Sequence, residues 1–439
     1  MFLTDQQRWD TTGSNGNPID LTPNLDRFAR RNTHVPLAFT PQPVCGPARS
    51  CLQTGMWATE TGCFCNDIPL PPGPTTLARE FGAVGYATGY IGKWHLASQE
   101  PVPPGQRGGY RSWLAANILE FTSGPYRTTL YDEANEPVRL PGYRVDALTD
   151  AAIRFIDRHR DTPFFLFLSH LEPHHQNQTD DYPPPDGYRE RYQGRWVPPD
   201  LAALGGTTHQ HLGGYYGQVK RLDEAFGRLL DALKSLGLDD DTVVVFTSDH
   251  GCHFKTRNAE YKRSPHDASI HVPFAIGGPG FVGGGEVSGL VSLLDLPPTL
   301  LDAAGLSIPE QMRGRSLLPL ARGDRTGWPD DVFVQISESG VARAIRTTRW
   351  KYAATAPGID SWQAPGADRY VETHLYDLEC DPYELANLAG LASHRELSAS
   401  LAERLIARMV AAGESAPVIE PAPTITIGQR QVDAVGPIA

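Results

Sequence analysis

The sequence is poor in cysteine, in long apolar runs and in positive charge, and each shortage excludes a class of protein. Six cysteines in 439 residues are too few for a disulfide framework, and Cys63 and Cys65 lack the C-x2-C spacing of common zinc modules. No apolar run approaches the roughly 18 residues of a membrane-spanning helix. The 39 basic and 51 acidic residues give a formal net charge of −12, which disfavours nucleic acid and anionic membranes as partners.

The first residues, MFLTDQQRWD, lack the basic region and the apolar core of an export signal. With so few cysteines, this predicts a cytoplasmic protein. Only three residues precede Thr4, however, whereas strands usually have about five or six residues. We therefore expect Asp5 to be loosely held, and the natural reading frame to begin upstream with an apolar strand. An export signal before that strand would instead make the protein periplasmic or secreted.

What the chain does contain is an alternation of short apolar runs with amphipathic stretches. This pattern is typical of an α/β fold with a mainly parallel central sheet flanked by helices. Apolar runs predict strands over 86–92, 163–169, 241–248 and 272–278. Helical periodicity predicts helices around 145–159 and 215–233. The stretch from about 172 to 210 has no clean period, which predicts a long surface loop.

The length of the chain and a change in the residue pattern after residue 325 predict more than one structural unit. A chain of 439 residues exceeds the size at which single cores usually stop growing. We predict a large N-terminal domain over 1–325, a smaller C-terminal α+β subdomain over 326–415, and a tail over 416–439. The smaller unit should contain strands packed against a helix over 395–412.

Two apolar segments end in residues that can bind a metal. The run VVVFTS leads into Asp249 and His250, and ligands bind at the carboxyl ends of parallel strands. This arrangement favours a metal site, although an isolated Asp-His pair can equally be a helix cap beside an incidental histidine. Asp5 follows an apolar start in the same way, and alone such a residue is usually solvated.

Further cations and histidines cluster in three segments. In GYIGKWHL, Lys93 and His95 share a face if the strand continues, which would make an anion site; a surface lysine beside a half-buried histidine is the alternative. The histidines that follow FFLFLS are His170, His174 and His175. We expect at least one of these three to be a surface residue. The segment YKRSPHDASIHVPF adds Lys262, His266 and His271, for which a solvated loop is the alternative explanation.

The segment PVCGPARSCLQTG places a thiol at the start of what reads as a short helix. Cys45 is surrounded by Pro43, Gly46 and Pro47, which fix the backbone and add little packing. A structural cysteine needs only an apolar face, so this position indicates a chemical role. Arg49 lies one helical turn after Cys45 and can support charge there.

Taken in order, these motifs resemble those of the sulfatase family within the alkaline-phosphatase-like superfamily. The family's C-x-P-x-R stands here as Cys45-Gly46-Pro47-Ala48-Arg49. Around it, TDQQRWD, TPNLDRFAR, GYATGYIGKWHL, FTSDHG, YKRSPHDASIHVPF and LYDLECDPYELANL follow in the family's order. The resemblance implies an alkaline-phosphatase-like fold and the hydrolysis of a carbohydrate or aryl sulfate ester to an alcohol and inorganic sulfate.

The resemblance also implies a role for each candidate residue. A formylglycine-generating enzyme would oxidise Cys45 to Cα-formylglycine, whose hydrate is the nucleophile. One divalent metal, with Ca²⁺ the first choice, would be bound by Asp5, Cys45, Asp249 and His250. The remaining implied roles are sulfate binding by Lys93 and Lys262, support of the nucleophile by Arg49, proton removal by His95, and protonation or orientation of the leaving oxygen by His174.

Two departures from the family pattern leave alternatives open. Many sulfatases have two acidic residues where this chain has Asp5 and Gln6, and Asp-Asn where it has Asp249 and His250. An added imidazole makes Mn²⁺ the alternative metal. Phosphonate monoester hydrolases and phosphodiesterases share this pattern and give the alternative activity. A catalytically silent binding protein is a third hypothesis, disfavoured because every expected charged position is filled.

The motifs above do not specify the alcohol part of the substrate. We expect specificity to come from the stretches 112–137 and 172–210 and from the C-terminal unit, where Arg346, Arg349 and Trp350 could face the cleft. Arginines and aromatics suit a saccharide sulfate, although they equally suit ordinary surface packing.

Overall fold

The structure is a computed structural model that describes residues 1–425, and it contains sheets of ten, three and five strands. In chain order the strands are β1 Phe2–Thr4, β2 Thr33–His34, β3 Ala38–Phe39, β4 Ala87–Lys93, β5 Ser112–Ala116, β6 Thr128–Tyr131, β7 Pro137–Leu140, β8 Phe164–Ser169, β9 Val244–Ser248, β10 His271–Val272, β11 Phe274–Gly277, β12 Gly285–Glu286, β13 Val291–Ser292, β14 Asp331–Ile336, β15 Val341–Thr347, β16 Trp350–Ala356, β17 Arg369–Asp377 and β18 Val418–Glu420.

The helices are α1 Pro23–Arg31, α2 Cys45–Thr54, α3 Ala58–Thr61, α4 Leu77–Ala83, α5 Leu119–Thr122, α6 Arg144–Arg158, α7 Tyr188–Tyr192, α8 Pro199–Ala203, α9 Thr208–Ser235, α10 Asp267–Ile270, α11 Leu296–Ala303, α12 Leu318–Ala321 and α13 Arg395–Ala411. Within residues 1–425, no helix is long and apolar enough to cross a membrane.

The ten-stranded sheet has the order β12-β2-β11-β9-β1-β8-β4-β5-β6-β7. Its centre, from β9 to β5, is parallel, whereas β11 and the β6–β7 hairpin are antiparallel to their neighbours. One face packs on α1, α6 and α9, and the other packs on α2, α4 and α11. Burial of both faces explains why its strands read as continuous apolar runs. The predicted α/β class is confirmed.

Most predicted elements appear near their expected positions, with two differences. The expected strand over 272–278 is divided, because Pro273 has no N–H to donate: β10 pairs with β3 in the three-stranded sheet, and β11 joins the central sheet. The stretch from 172 to 210 is not only a loop, since it contains α7 and α8.

The five-stranded sheet, β14-β15-β16-β17-β18, forms the core of the smaller C-terminal unit. Its first four strands are antiparallel, and β18 pairs with β17 in parallel. Helix α13 packs on this sheet through Leu401, Leu405 and Met409, all of which are buried. The expected arrangement of strands against one helix is therefore present.

Strand β1 lies at the centre of the large sheet despite its length. Phe2 pairs with Leu168 of β8 on one side and with Phe246 of β9 on the other. Asp5 follows directly and is fully buried. The expectation that Asp5 would be loosely held is wrong, because parallel strands flank β1 on both sides and fix the position where it ends.

Candidate active site

Parallel register brings distant segments together at one edge of the central sheet. Thr4 pairs with Ser248, so Asp5 and Asp249 leave neighbouring strands at the same level. The backbone N–H of Gln6 donates to Asp249 Oδ1 at 3.1 Å, which fixes the two chain segments to each other. Cys45 reaches the same edge from the first position of α2 and is 1% exposed.

Four buried side chains at this edge form a group that could hold one metal ion. Asp5, Cys45, Asp249 and His250 each offer an atom, and these atoms lie within 4.8 Å of one another. His250 Nδ1 donates to the Gly251 carbonyl oxygen at 3.0 Å, which leaves the Nε2 lone pair directed at the group. Asp249 Oδ2 lies 3.2 Å from Arg49 Nη2 but accepts no hydrogen bond within the described chain. Two carboxylates with free acceptor capacity and an imidazole therefore fit a divalent cation.

Positive charge converges on the side chain of Cys45. Its Sγ atom lies 2.9 Å from Lys262 Nζ, 3.1 Å from His250 Nε2 and 3.8 Å from Lys93 Nζ. Burial alone would raise the pKa of the Cys45 thiol, but the charges of Lys262, Lys93 and His250 hold it well below the ordinary value. The surroundings of residue 45 therefore stabilise negative charge.

Asp5 is the anchor for two of the surrounding cations. Arg49 Nη2 lies 3.0 Å from Asp5 Oδ2, and Lys93 Nζ lies 2.8 Å from the same oxygen. Burial raises the pKa of the Asp5 carboxyl and so does the neighbouring Cys45, but Lys93, His174 and Arg49 lower it below the usual range. Arg49 also donates to the Lys93 carbonyl and to Ser169 Oγ, so its guanidinium is fixed on three sides.

His174 lies within reach of the same centre. Its Nδ1 donates to the His175 carbonyl oxygen at 2.7 Å, and its Nε2 lies 3.2 Å from Lys262 Nζ. Since Lys262 Nζ in turn contacts Cys45, Nε2 of His174 faces the centre of the group. The predicted residues Asp5, Cys45, Arg49, Lys93, His174, Asp249, His250 and Lys262 are thus connected by direct contacts.

His95 is placed less directly. Strand β4 ends at Lys93, and His95 has a φ of 59°, so the two side chains do not share a face through a continuing strand. Within residues 1–425, the His95 ring accepts and donates no hydrogen bond. Its carbonyl oxygen lies beside Gly46, which places His95 near the start of α2.

The other histidine candidates lie outside the group. His170 is fully buried and packs on the Phe2 ring at 4.6 Å, where burial lowers its pKa to about 3. His175 stacks between His174 and Tyr261. Of the three histidines after β8, His170 and His174 are buried and His175 is half-buried, so His175 alone reaches the surface.

His266 and His271 also serve the structure away from Cys45. His266 Nε2 lies 3.2 Å from the Tyr376 hydroxyl, and His271 stacks on Trp9 with ring centroids 4.5 Å apart. Neither is solvated, so the solvated-loop explanation is wrong for these two residues.

Two buried glutamates were missed by the sequence reasoning. Glu120 of α5 lies 2.8 Å from Lys93 Nζ, and its Oε2 accepts no hydrogen bond among the described residues. Glu338, in the turn between β14 and β15, accepts a hydrogen bond from the Asn66 N–H at 2.6 Å, and Asn66 Oδ1 accepts one from the Gly46 N–H. No motif marks either glutamate in the sequence, although Glu120 lies within the stretch predicted to determine specificity.

The arginines expected at the cleft from the C-terminal unit are engaged elsewhere. Arg346 pairs with Asp267 at 3.2 Å and lies over the Phe39 ring, and Arg349 pairs with Asp377 at 2.8 Å. The C-terminal unit approaches residue 45 through Glu338 instead, because the β14–β15 turn extends beyond its own sheet.

Comparison with known proteins agrees with this geometry. The family model described as Sulfatase matches residues 1–306, and the model described as N-sulphoglucosamine sulphohydrolase, C-terminal, matches residues 259–411. An ulvan-active sulfatase from Formosa agariphila is 31% identical over 434 residues, covering 94% of this chain and 81% of the relative. An N-acetylglucosamine-6-O-sulfatase from Bacteroides thetaiotaomicron is 24% identical, covering 92% of this chain and 84% of the relative.

The solved structure of yidJ from Bacteroides fragilis has the same fold. It superposes with a TM-score of 0.83 at 24% identity, covering 94% of this chain and 95% of that one. The C-x-P-x-R motif stands at the start of a buried helix, and the metal-binding group and the cations surround its first residue. With a family model matching more than half of its length, the chain belongs to the sulfatase family, whose members hydrolyse sulfate esters.

Proposed function

We propose that this sulfatase hydrolyses a carbohydrate sulfate, using formylglycine at position 45 and one divalent cation. The observation that carries the proposal is the convergence on Cys45 Sγ of Lys262 Nζ at 2.9 Å and His250 Nε2 at 3.1 Å. A buried nucleophile surrounded by cations and metal-binding side chains is suited to attack the sulfur atom of an anionic sulfate ester.

The hydrate of formylglycine would supply two hydroxyls on one carbon. One would attack sulfur and expel the alcohol, which leaves a sulfate ester on residue 45, and the other, on losing its proton, would expel sulfate and restore the aldehyde. Its precursor is Cys45, which a formylglycine-generating enzyme would oxidise. Arg49 holds its place by pairing with Asp5 and donating to Ser169, so it acts as a positioning residue one turn behind residue 45. The C-x-P-x-R spacing is what places it there.

The metal would be held by Asp5, residue 45, Asp249 and His250, and would polarise a sulfate oxygen when bound. The donors favour a hard cation through the two carboxylates, which supports Ca²⁺. The imidazole of His250 is less typical of calcium sites, so Mn²⁺ is the alternative.

Lys262 and Lys93 differ in how free they are to bind the sulfate group. Lys93 Nζ is 2.8 Å from both Asp5 and Glu120, which already balance its charge. Lys262 contacts a thiol and an imidazole but, within residues 1–425, no carboxylate. We therefore assign Lys262 the larger share of sulfate binding and Lys93 a supporting one.

Two histidines are proposed for proton transfer. His174 presents Nε2 to the centre because its Nδ1 donates to a carbonyl, and Nε2 gives a proton to the leaving oxygen when the ring is the doubly protonated imidazolium. His95 lies beside Gly46 and is proposed to remove the proton from the second hydroxyl at residue 45. The two proton transfers involve different oxygens, which suits two separate residues.

The saccharide substrate is supported by the relatives, whose names specify ulvan and N-acetylglucosamine. Within the chain, we propose that residues 1–325 form the catalytic domain and 326–415 a subdomain that closes the site through Glu338. Residues 416–439 would form the tail, of which residues 416–425 are described and contribute β18.

Paired substrates test the proposal. The enzyme, co-expressed with a formylglycine-generating enzyme and loaded with Ca²⁺ or Mn²⁺, would be assayed on 4-nitrophenyl sulfate, 4-nitrophenyl phosphate and phenyl phosphonate esters, and on sulfated oligosaccharides. We expect sulfate release with kcat/KM at least tenfold above that for either phosphorus ester. Faster turnover of a phosphorus ester would overturn the assignment.

A further inference from the structure

A cavity of about 610 Å³ opens on the outer face of the β6–β7 hairpin, at the edge of the central sheet. Its size is in the range of small-ligand sites. The side chains that characterise it are those of Phe121, Tyr126, Arg127, Thr129, Arg139 and Gln178. None of the residues that line it is acidic.

The two arginines are brought together by the register of the hairpin. Thr129 pairs with Arg139 across the two strands, and Arg127 lies two residues before Thr129. Paired residues lie on one face of a sheet, so Arg139 lies beside Thr129, and Arg127, in the turn before β6, lines the same cavity. A tight turn, in which the N–H of Arg127 donates to the Gly124 carbonyl at 3.2 Å, fixes the start of β6.

These arginines have no balancing charge. Both are exposed, and neither forms an ion pair or a side-chain hydrogen bond with any residue from 1 to 425. Two guanidinium groups without an internal partner therefore line one cavity in a chain with a formal net charge of −12. Phe121 and Tyr126, which are 57% and 48% exposed, add aromatic surface beside them. The combination fits a ligand with both anionic groups and apolar ring faces.

Helix α5 contributes one residue to the active site and others to the cavity. Glu120, which pairs with Lys93, is followed directly by Phe121 of the cavity. Gln176 Nε2 donates to the Glu120 carbonyl at 2.6 Å and to Gln178 Oε1 at 2.9 Å. A chain of direct contacts therefore joins the sulfate-binding residues to the wall of the cavity, which places the cavity beside the active site.

We propose that this cavity binds a second anionic group, a sulfate or a carboxylate, on a neighbouring sugar of the same oligosaccharide substrate. Arg127 and Arg139 bind the anion, and the aromatic side chains pack on the sugar ring. The proposal rests on the proposed carbohydrate sulfatase activity. It implies that the enzyme prefers multiply charged oligosaccharides to esters that carry one sulfate alone.

The test compares Arg127→Ser/Arg139→Ser with a matched control, Arg31→Ser/Arg322→Ser, which removes two exposed arginines that pair with no carboxylate in the described chain. The probes are tetrasaccharides from ulvan, chondroitin sulfate and heparin, with 4-nitrophenyl sulfate as the singly charged reference. Affinity for each tetrasaccharide is also measured by calorimetry at low and high salt, so that binding is scored independently of turnover.

We expect the Arg127/Arg139 variant to lower kcat/KM on the preferred tetrasaccharide about tenfold relative to 4-nitrophenyl sulfate, mainly through KM. The control should keep the wild-type ratio, and the difference in affinity should shrink at high salt. If the wild type hydrolyses no sulfate ester, the proposed activity fails, and the cavity is judged by calorimetry alone. Equal affinity of the wild type and the Arg127/Arg139 variant for every tetrasaccharide overturns the proposal.

Discussion

Two buried charge clusters in this molecule are built from similar residues to different ends. In the Asp267 cluster, formed by Asp267, Arg346, Lys351 and Glu384, Lys351 Nζ lies 2.5 Å from Asp267 and 2.7 Å from Glu384, and Arg346 lies 3.2 Å from Asp267. Two cations there balance two carboxylates. In the Cys45 cluster, formed by Asp5, Cys45, Arg49, Lys93, Asp249, His250 and Lys262, Lys262 faces a thiol and an imidazole.

The difference shows how the role of a buried charge can be inferred from its partners. A charge whose opposite lies within the protein holds segments together, as Lys351 joins the C-terminal sheet to α10. A cation that is buried without a carboxylate among the described residues has lost its hydration, and no ion pair with a carboxylate offsets that loss. Such a cation is suited to an anion that arrives from outside. The first three predictions below each change one cluster and leave the other intact.

The largest effect is expected at residue 45. Cys45→Ala should lower turnover of sulfate esters at least about a thousandfold, because the nucleophile is lost. Cys45→Ser should be nearly as inactive, since serine lacks the second hydroxyl that expels sulfate, and intact mass after substrate addition could reveal a sulfated enzyme. Both variants should unfold within about 1–2 kcal/mol of the wild type. Turnover by Cys45→Ala within tenfold of the wild type would contradict the assignment.

The Asp267 cluster, in which cations and carboxylates balance, should determine stability and not turnover. Lys351→Met should lower the free energy of unfolding by about 3–5 kcal/mol, because it leaves two buried carboxylates facing each other. The matched control is Arg349→Met, which breaks an exposed pair with Asp377 near the start of the same strand and should cost less than about 1 kcal/mol. Urea unfolding measures both. Equal losses would mean that burial does not distinguish these pairs.

Lys262→Met should show the opposite behaviour. We expect kcat/KM to fall about a hundredfold while the free energy of unfolding stays the same or rises, because the variant removes a buried cation that has no carboxylate partner within residues 1–425. Elemental analysis should find wild-type metal content. Asp249→Asn is the contrasting variant and should lose metal. Loss of metal from Lys262→Met but not from Asp249→Asn would show that the site is assembled differently.

A smaller effect is expected from His170, which belongs to neither cluster. Burial lowers its pKa to about 3, below the ordinary value of about 6.5. Between these values the unfolded chain binds a proton that the folded chain does not, so stability falls as pH is lowered from 7 to 5, by about 2 kcal/mol for this residue. His170→Leu should remove that share of the pH dependence. Identical pH profiles for the variant and the wild type would contradict it.

The sequence predicted the parts of the site that parallel strands and one helical turn position. Asp5 and Asp249 end neighbouring strands, and Arg49 follows Cys45 by one turn, so spacing alone places them. Lys262 and His174 come from irregular segments, where they were candidates among other cations and histidines, and only the family resemblance gave them a role. Glu120 could not be found in this way, because its contact with Lys93 depends on how a four-residue helix docks beside β4.

The burial of three histidines could not be predicted from the sequence either. His170, His266 and His271 lie in segments rich in polar residues, where a solvated loop is the ordinary expectation. Each is buried against a residue distant in the sequence, His170 against Phe2, His266 against Tyr376 and His271 against Trp9, so the burial is a property of the whole fold. The α/β class and most strand positions needed only the local pattern of apolar residues.

The most direct test of the central claim is the mass of the tryptic peptide spanning residues 32–49, which contains Cys45. Preparations made with and without a formylglycine-generating enzyme would be compared for the fraction of this peptide that carries formylglycine and for sulfate release per molecule. We predict that sulfate release rises in proportion to the modified fraction and is absent from a preparation in which every peptide carries the thiol. Full activity in that unmodified preparation would contradict the account.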